Sequence, residues 1–348
     1  LRRNAKVNLI KLTGKTHPAD LAEVFRHFSI EEQIEIFSLM KENEHTAEFL
    51  AELDDALVIE LLENESYERI ASIIEKAPTN DQSRILNILE AEKAQSIIEL
   101  LNAEEQEEIA EIMGYPDDSA GTLMNTEVFT LHESITAGEA IKTLQDQEGA
   151  EMVFYLYITD DDDRLVGVIS LRALTTTPSS TKLKDIMIKN IHSIRPETDQ
   201  EDVAKIVAQY NFLAVPVLDS DSKLLGIVTV DDVVDVIREE ATEDFLRMAG
   251  AGKDREILLK SSWENAKARL PWLFASWIGG IGAASIIGTF ENMLANIVAL
   301  AAFIPVILGM GGNIATQSST IIVRGMATGR VNIGGEIKLI FKEIKVGL

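Results

Sequence analysis

The chain has 348 residues, enough for two or three domains, and no cysteine, which excludes a disulfide framework and a thiolate metal site. Its 57 acidic and 32 basic residues give a formal net charge of −25. The first 260 residues hold 53 of the acids and 25 of the bases, a net of −28. Such a surface repels nucleic acid and anionic lipid headgroups and attracts multivalent cations; solubility alone is the alternative explanation. The five histidines are scattered and lack zinc-like spacing.

The first part of the chain, to about Tyr115, has the pattern of short amphipathic helices. Apolar residues recur three and four positions apart, at Leu21, Val24, Phe25, Phe28, then at Phe49, Leu50, Leu53, Leu57, Leu61. Ser29 with Glu32, and Asn102 with Glu105, have the spacing of a capping box and mark helix starts. Each helix is one-sided and must bury its stripe on its neighbours, so we expect an all-α superhelix of helical hairpins with an acidic outer face.

The middle part, about Met124 to Glu240, contains an internal α/β repeat. The two copies are offset by 63 residues at Leu123–Met124 and Ile186–Met187, and by 59 at Gly167 and Gly226. The first copy is predicted to have strands at Val128–Leu131, Met152–Ile158 and Leu165–Ser170, with a helix from Ser134 to about Gln145. The second is predicted to have strands at Ile191–Ile194, Leu213–Leu218 and Leu224–Thr229, with a helix from Thr198 to about Tyr210. Neither copy can bury a sheet alone, so the two should pack together.

The last part contains two long uncharged runs separated by one acid, Glu291. Pro271 to Phe290 and Asn292 to Val323 each reach the roughly 20 residues that a helix needs to cross a bilayer. A buried core helix of a soluble protein is the alternative. Basic residues flank the outer ends of the pair: Lys267, Arg269, Arg324, Arg330. The positive-inside rule therefore places both ends, and the acidic region, in the cytoplasm.

The second repeat copy ends in a motif, Gly226, Thr229 and Asp232, that resembles the signature of the cystathionine-β-synthase (CBS) domain. Paired CBS domains often bind adenine nucleotides, with the hydroxyl and the carboxylate meeting phosphate and ribose. The first copy keeps the hydroxyl at Ser170 but has Ala173 in place of the acid. The alternative is that Ser170 and Thr229 only cap the helices that follow.

The CBS resemblance implies a nucleotide site in the first copy that uses Tyr155 and Arg172, and Phe212 is a further candidate nucleotide contact of the pair. Because Ala173 replaces the acid, we expect that site to lack its usual ribose contact. Adenine nucleotide, ATP in particular, is accordingly a candidate ligand of the pair.

The densest acidic segment runs from Asp231 to Asp244. In a helix, Asp232, Asp235 and Glu239 lie near one face, and Glu243 extends that line. Like charges at these spacings repel unless a cation neutralises them, and Mg²⁺ binds through one or two carboxylates while retaining waters. A solvated face is the alternative, but the position between the repeat and the first apolar run favours metal binding.

The second apolar run carries a Gly-rich polar motif between Pro305 and Thr320. Glycines within a span permit close helix approach or local unwinding. Gly312, Asn313, Thr316 and Gln317 are predicted to line a pore, because polar groups at membrane depth need a partner or a water-filled path. Hydrogen bonding between helices is the alternative.

The order of these parts resembles one family, the MgtE magnesium transporters, over almost the whole chain. The matching motifs are His17–Leu21, Ala120–Gly121, Thr229–Asp232, Glu240–Asp244, Gly311–Asn313, Gln317–Ser318. Members work as homodimers with five transmembrane helices and select magnesium with an acid in the last one. The sequence ends where a third span is expected to begin, so that acid lies outside it.

The resemblance implies a mechanism in which Mg²⁺ bridges the helical domain, the CBS pair and a connecting "plug" helix, closing the pore when the cell is replete. The implied ligands are Asp232, Asp235, Glu201, Glu240, Glu243, Asp244, Asp81. Asn211 stands where related sequences often have an aspartate, which weakens one bridging site.

The implied domains are an acidic helical N domain, two CBS domains, a plug helix and a membrane region, at residues 1–122, 123–183, 184–241, 242–269 and 270–348. We expect a multi-pass protein of the plasma (inner) membrane that contacts lipid, binds divalent cations and forms a homodimer, without nucleic acid. The alternatives are a CBS-regulated transporter for another divalent cation and a membrane-tethered nucleotide sensor. An enzyme is not expected, because no nucleophile–base pair, phosphate loop or histidine cluster is visible.

Overall fold

The computed structural model describes residues 3–146, 154–248, 262–327, 341–342 and 344–345. The chain divides into two compact units, Leu1–Val236 and Ile237–Leu348. The first unit holds a helical region and then an α/β region. The second holds the end of a long helix and the apolar helices. The predicted fold class, a helical superhelix followed by an α/β pair and apolar helices, is confirmed.

The helical region consists of short helices, most of them eight residues long. They are α1 (Arg3–Thr13), α2 (Pro18–Phe25), α3 (Ile30–Phe37), α4 (Glu44–Ala51), α5 (Asp55–Leu62), α6 (Tyr67–Ile74), α7 (Thr79–Ile88), α8 (Ala91–Ile98) and α9 (Ala103–Ile112). Polar caps start α3 and α9, the two helices for which the sequence predicts them. Ser29 and Glu32 form a capping box on α3, and the Asn102 side chain accepts a hydrogen bond from the Glu105 N–H at 3.0 Å.

Alternate helices of this region pack on one another, which builds a two-layered stack. Helices α2, α4, α6 and α8 contact in sequence, and so do α3, α5, α7 and α9. One apolar core runs through the stack, with Phe25 and Phe49 fully buried and their rings edge to face at 5.0 Å. Each such aromatic side chain contributes about 1.5–3 kcal/mol on burial, so short helices that are marginal alone hold together.

The α/β region has two small sheets. Its strands are β1 (Thr130–His132), β2 (Tyr155–Thr159), β3 (Leu165–Ser170), β4 (Ala214–Leu218) and β5 (Leu224–Thr229). Its helices are α10 (Ala120–Leu123), α11 (Ala137–Asp146), α12 (Leu171–Thr176), α13 (Gln200–Tyr210) and α14 (Val230–Met248). Strand β2 lies between parallel β1 and antiparallel β3, and β4 pairs antiparallel with β5.

The internal repeat is confirmed by matching acidic turns. The Asp160 carboxylate accepts hydrogen bonds from the backbone N–H groups two and four residues later, and Asp219 does the same. Asp163 and Ser222, 59 positions apart, both have a positive φ, of 60° and 67°. The same turn therefore connects β2 to β3 and β4 to β5.

The predicted strand at Ile191–Ile194 is wrong as a regular strand, because only Ile194 bridges to Val217. The physical reason is Pro216 on β4, which has no N–H to extend a parallel ladder toward His192. The corresponding residue in the first copy is Tyr157, whose N–H is available, and β1 forms there. Of the strand predicted from Met152, the first two residues lie outside the described residues.

The segment that precedes the first copy packs on the second copy. The Ala120 and Gly121 N–H groups donate to the carbonyls of Thr198 and Pro196 at 2.7 and 2.8 Å. Asn125 exchanges two backbone hydrogen bonds with Ile227 on β5, at 2.8 and 2.9 Å. The helical region is therefore joined directly to the second copy, although the first copy follows it in sequence.

The apolar part of the second unit contains α15 (Ser262–Thr289), α16 (Glu291–Asn296), α17 (Val298–Ala301) and α18 (Ile304–Ala327). Two of these helices are long and apolar enough to cross a membrane, Ser262–Thr289 and Ile304–Gly325. The run predicted from Asn292 to Val323 is thus divided. Pro305 suits the start of α18, since proline is favoured in the first turn of a helix, where its missing N–H leaves no hydrogen bond unmade.

The bridge between Asn125 and β5 requires glycine at position 226. A Cβ at Gly226 would lie 2.7 Å from the Asn125 carbonyl oxygen. We therefore expect Gly226→Ala to lower the free energy of unfolding by about 1–3 kcal/mol, through overpacking against backbone. Urea unfolding followed by circular dichroism measures this.

Gly14→Ala is the matched control, because its Cβ would meet only the Ile10 carbonyl oxygen, at 3.5 Å. Its unfolding curve should superimpose on that of the wild type within about 0.5 kcal/mol. Equal stability of the two variants would contradict the tight packing at Gly226.

Candidate cation site

The first turn of α7 lies against the first turn of α14. The Asn80 Nδ2 group donates a hydrogen bond to Asp232 Oδ1 at 3.0 Å, across 152 residues of sequence. The other oxygen of Asp232 accepts from the Thr229 hydroxyl at 2.5 Å and from the Thr229 N–H at 3.4 Å. Asp232 is thus held at the start of α14 by groups from both the helical and the α/β regions. We name this place, formed by Asn80, Asp81, Asp231, Asp232 and Asp235, the α7–α14 junction.

Burial raises the pKa of Asp232 from its ordinary 3.8 to about 7. The Thr229 hydroxyl opposes this shift because it stabilises the charged form. The negative charges of Asp231 and Asp81 add to the shift. The junction therefore holds a carboxyl whose charged form is costly near neutral pH unless a cation is close.

Asp81 is in the same electrostatic environment. Burial is the main cause that raises the pKa of Asp81. The positive charge of Arg84 lowers that pKa in part, and the negative charges of Glu52, Asp231 and Asp235 raise it further. Arg84 neutralises Asp81 only in part, because its Nε is 3.8 Å from Asp81 Oδ1 while its Nη1 is 2.6 Å from Asp55. The junction thus combines several acidic groups with one distant guanidinium.

The structure brings three of the predicted cation ligands together at this junction: Asp81, Asp232 and Asp235. Glu201 lies elsewhere, on α13, where it pairs with Lys205 at 3.2 Å. The remaining three are on the C-terminal half of α14, in the second unit: Glu240, Glu243, Asp244. The segment predicted to be helical is helical through all of them, and buried Glu243 forms an ion pair with Arg247. Ligation by these residues stays a prediction.

The junction offers carboxylate and amide oxygens, which are donors that magnesium accepts. Among the residues that the structure describes, no group of three His, Asp or Glu side chains is arranged to hold one ion. Magnesium retains several waters and binds through one or two carboxylates. In addition, Asn80 Oδ1 is buried without a hydrogen bond, so a neutral oxygen ligand or water acceptor lies beside the acids.

The sequence analysis missed three neutral residues of this region. Asn80 bonds to Asp232, and the hydroxyl groups of Thr79 and Thr126 are 2.8 Å apart. The sequence does signal a helix start after Pro78, through small polar residues, but that signal does not identify partners 47 and 152 residues away.

Tyr155 and Arg172, two predicted nucleotide contacts, lie at one end of the first sheet. Tyr155 pairs with Ser170, two residues before Arg172, and packs near the second copy beside Ile227. The Ser170 hydroxyl accepts a hydrogen bond from the Ala173 N–H at 3.2 Å, so the capping role considered for Ser170 is confirmed. Arg172 is exposed and available to an anionic group.

Phe212, the third predicted nucleotide contact, belongs to a stack of three rings. Its ring lies 5.3 Å from that of Tyr210, which stacks on His192 at 4.3 Å. Asn211 between them has left-handed φ and ψ of 54° and 43° and ends α13, a conformation that asparagine tolerates well. The stack offers flat apolar surface at the edge of the second copy.

The predicted pore-lining residues Gly312, Asn313, Thr316 and Gln317 all lie on α18 and are exposed. The helix is continuous through its glycines, so local unwinding does not occur there. The Thr316 hydroxyl donates to the Gly312 carbonyl at 3.1 Å, within its own helix. Glycine's second role, close approach of a neighbouring helix, agrees with this geometry.

Comparison with family models accounts for most of the chain. The model described as the MgtE intracellular N domain matches residues 16–118, and the CBS domain model matches residues 120–178 and 183–239. The model described as a divalent cation transporter, MgtE, matches residues 304–348.

Curated relatives point the same way. The magnesium transporter MgtE of Bacillus subtilis is 31% identical over 350 aligned residues, which cover all of this chain and 77% of that protein. Those of Enterococcus faecalis and Thermus thermophilus are 40% and 38% identical, each over 69% of this chain. The chain spans about half the length of these two relatives, 53% and 54%.

Two solved structures share the fold of the first unit and its sequence at 31% identity. The cytosolic domain of the Mg²⁺ channel MgtE in complex with ATP has a TM-score of 0.62, over 65% of this chain and 92% of that one. The soluble part of a magnesium transporter has a TM-score of 0.57, over 68% of this chain and 98% of that one. With three family models in the right order and a 31% identical relative along its whole length, the chain belongs to the MgtE family of magnesium transporters, which is not a family of enzymes.

Proposed function

We propose that this protein transports magnesium across the plasma membrane as a homodimer embedded in lipid, and that its acidic region senses cytoplasmic Mg²⁺ and closes the pore when the ion is plentiful. The relatives named as magnesium transporters support the transported ion. The observation that carries the sensing role is the α7–α14 junction, where burial and nearby acidic charges raise the pKa of the half-buried carboxyls of Asp81 and Asp232.

The junction responds to cations because it is a balance of opposing energies. Without a cation, the charged carboxyls repel and resist burial, so the contact of α7 with the start of α14 is weakened. A divalent ion near Asp81 and Asp232 offsets both effects. It favours the docked arrangement only to the extent that it binds that arrangement more tightly than the open one.

Helix α14 is the element through which the junction acts on the membrane part. It begins beside Asp232 and continues through Glu240 and Asp244 to Met248, and the first candidate span begins at Ser262. The predicted ligands on its C-terminal half are further candidates for cation binding on the same helix. Docking at the junction holds the start of α14 in one position.

The CBS pair is proposed to bind an adenine nucleotide, ATP in particular, as a second input. Support comes from the ATP complex of the related cytosolic domain and from the closeness of Tyr155 and Arg172. The guanidinium would meet phosphate, and the aromatic ring would meet the base. Ala173 offers no carboxylate to ribose, so nucleotide recognition here rests on stacking and phosphate contact.

Transport and its closure are tested together in liposomes that contain the purified full-length protein and a magnesium-sensitive dye. We expect Mg²⁺ influx that falls as the Mg²⁺ facing the acidic region rises. Asp81→Asn removes a charged oxygen ligand from the junction, so influx should continue at Mg²⁺ concentrations at least about tenfold above those that close the wild type.

Asp161→Asn is the matched control, since the Asp161 side chain is fully exposed in a turn away from the junction. It should close as the wild type does. No influx through the wild-type protein would refute transport. Identical closure of wild type and Asp81→Asn would refute sensing at the junction.

Docking of the junction should depend on pH when divalent cations are absent. A carboxyl whose pKa is higher in the docked form, as for Asp232, Asp81 and Glu108, binds its proton more tightly there. Docking is then fully favoured below about pH 4 and is lost as the pH rises through the docked pKa of about 7 for Asp232. We expect the distance between spectroscopic labels on α4 and on the first CBS copy to increase over that range.

Asp232→Asn should remove most of this pH dependence, and saturating Mg²⁺ should flatten it in the wild type. Asp161→Asn should leave it unchanged. A label distance that is constant from about pH 4 to 8 in the cation-free wild type would show that burial of these carboxyls does not oppose docking.

The nucleotide proposal is tested by calorimetric titration with ATP. Arg172→Ala should weaken binding by about tenfold, because it removes a charge-assisted contact to phosphate. Lys184→Ala, which removes an exposed cation from the same copy, should bind as the wild type does. Equal affinities of Arg172→Ala and wild type would exclude the first-copy site.

A further inference from the structure

The first turn of α7 presents three consecutive polar residues to the α/β region, and each has a different partner. Thr79 contacts Thr126, Asn80 contacts Asp232, and Asp81 lies among the carboxyls of the α7–α14 junction. Of these contacts, the one between Thr79 and Thr126 joins two uncharged groups. Its strength therefore does not depend on whether a cation is bound.

The geometry of the threonine pair is that of a well-made, partly buried hydrogen bond. The two Oγ1 atoms are 2.8 Å apart, near the most frequent O–H···O distance, and Thr79 is only 2% exposed. The Thr126 hydroxyl also lies within 3.5 Å of Glu108 Oε2, as its donor. The bonds therefore have one consistent direction: Thr79 donates to Thr126, and Thr126 donates to the carboxylate on α9.

The backbone holds Thr126 in place independently of the helical region. Asn125, its neighbour, exchanges two hydrogen bonds with Ile227 on β5, two residues before β5 ends and α14 begins. A hydroxyl bond from Thr79 to this segment therefore sets the position of α7 relative to the second copy. It places Asn80 and Asp81, the next two residues, at the junction.

We propose that Thr79 and Thr126 form a cation-independent positioning pair that sets how much Mg²⁺ is needed to dock the helical region on the second CBS copy. The inference rests on the proposed sensing function and adds residues to it. The neutral bond stabilises the docked form whether or not an ion is present. Removing it leaves the ion-binding carboxyls intact but makes docking less favourable at every ion concentration.

The protein has no cysteine, so two labels can be attached at chosen sites of the full chain. Cysteines in place of Glu48 on α4 and Lys184 in the first copy, both exposed, carry spin labels. An excess of unlabelled protein confines the measured distances to one protomer. The distance distribution is recorded during a Mg²⁺ titration in detergent, for the wild-type background and for each threonine variant.

Thr79→Val keeps the shape of the side chain and removes its hydroxyl. We expect it to raise the Mg²⁺ concentration at half-docking by about two- to tenfold, the effect of losing one neutral hydrogen bond. Thr126→Val also removes the donor to Glu108, so it should raise the midpoint at least as much, and the double variant should shift no further than Thr126→Val alone. Thr79→Ser restores the hydroxyl and should return the midpoint toward that of the wild type. Thr143→Val, at an exposed position of α11, is the matched control and should leave the midpoint unchanged.

The titrations test the Mg²⁺ response and the threonine pair separately. A wild-type distance that does not respond to Mg²⁺ would refute the sensing function itself. A wild-type response with unchanged midpoints in Thr79→Val and Thr126→Val would refute the positioning pair alone. Additive shifts in the double variant would show two separate packing effects rather than one bond, which also overturns the proposal.

Discussion

Desolvation of like-charged carboxyls at one point, where α7 meets α14, is the constraint on which the proposed sensing role depends. Asp81 and Asp232 each resist ionisation there because of desolvation and of one another's charge. An apolar contact would hold the two regions together permanently, and a fully paired ionic contact would do nearly the same. A contact made by carboxyls that no basic residue fully neutralises is different, because a multivalent cation that binds there changes the free energy of the contact.

Such a contact still needs a fixed geometry, and neutral groups provide it. The Asn80 amide and the Thr229 hydroxyl hold the two oxygens of Asp232, so this carboxylate has a defined orientation before any ion binds. The segment that enters the CBS pair is bonded to β5, which leads directly into α14. The helical region is therefore attached, covalently and by hydrogen bonds, to the copy from which the connecting helix starts.

Much of this could be predicted from the sequence, because it depends on local periodicity. The caps at Ser29 and Asn102, the 59-residue repeat and the two apolar spans are all local patterns, and the helical acidic segment follows from spacings of three and four. The missing strand before Ile194 depended on Pro216, a residue of its partner strand. The bonds of Asn80 and Thr79 join parts of the chain 152 and 47 residues apart, and no local pattern identifies such partners.

Helix α18 also contains polar groups that are satisfied locally and polar groups that need a partner from elsewhere. On α18 the Thr316 and Thr320 hydroxyls bond to carbonyls of their own helix, which satisfies them without a neighbour. Asn313 and Gln317 are exposed on that helix, and an amide at membrane depth is costly unless another helix or water receives it. Gly309, four residues before Asn313, lies on the same face of α18 as these amides, and Gly312 borders that face; a Cβ at either glycine would meet no other part of the described chain within 4 Å. Small residues beside exposed amides are suited to close packing by a further helix, which is the kind of contact that the proposed homodimer and transport path require.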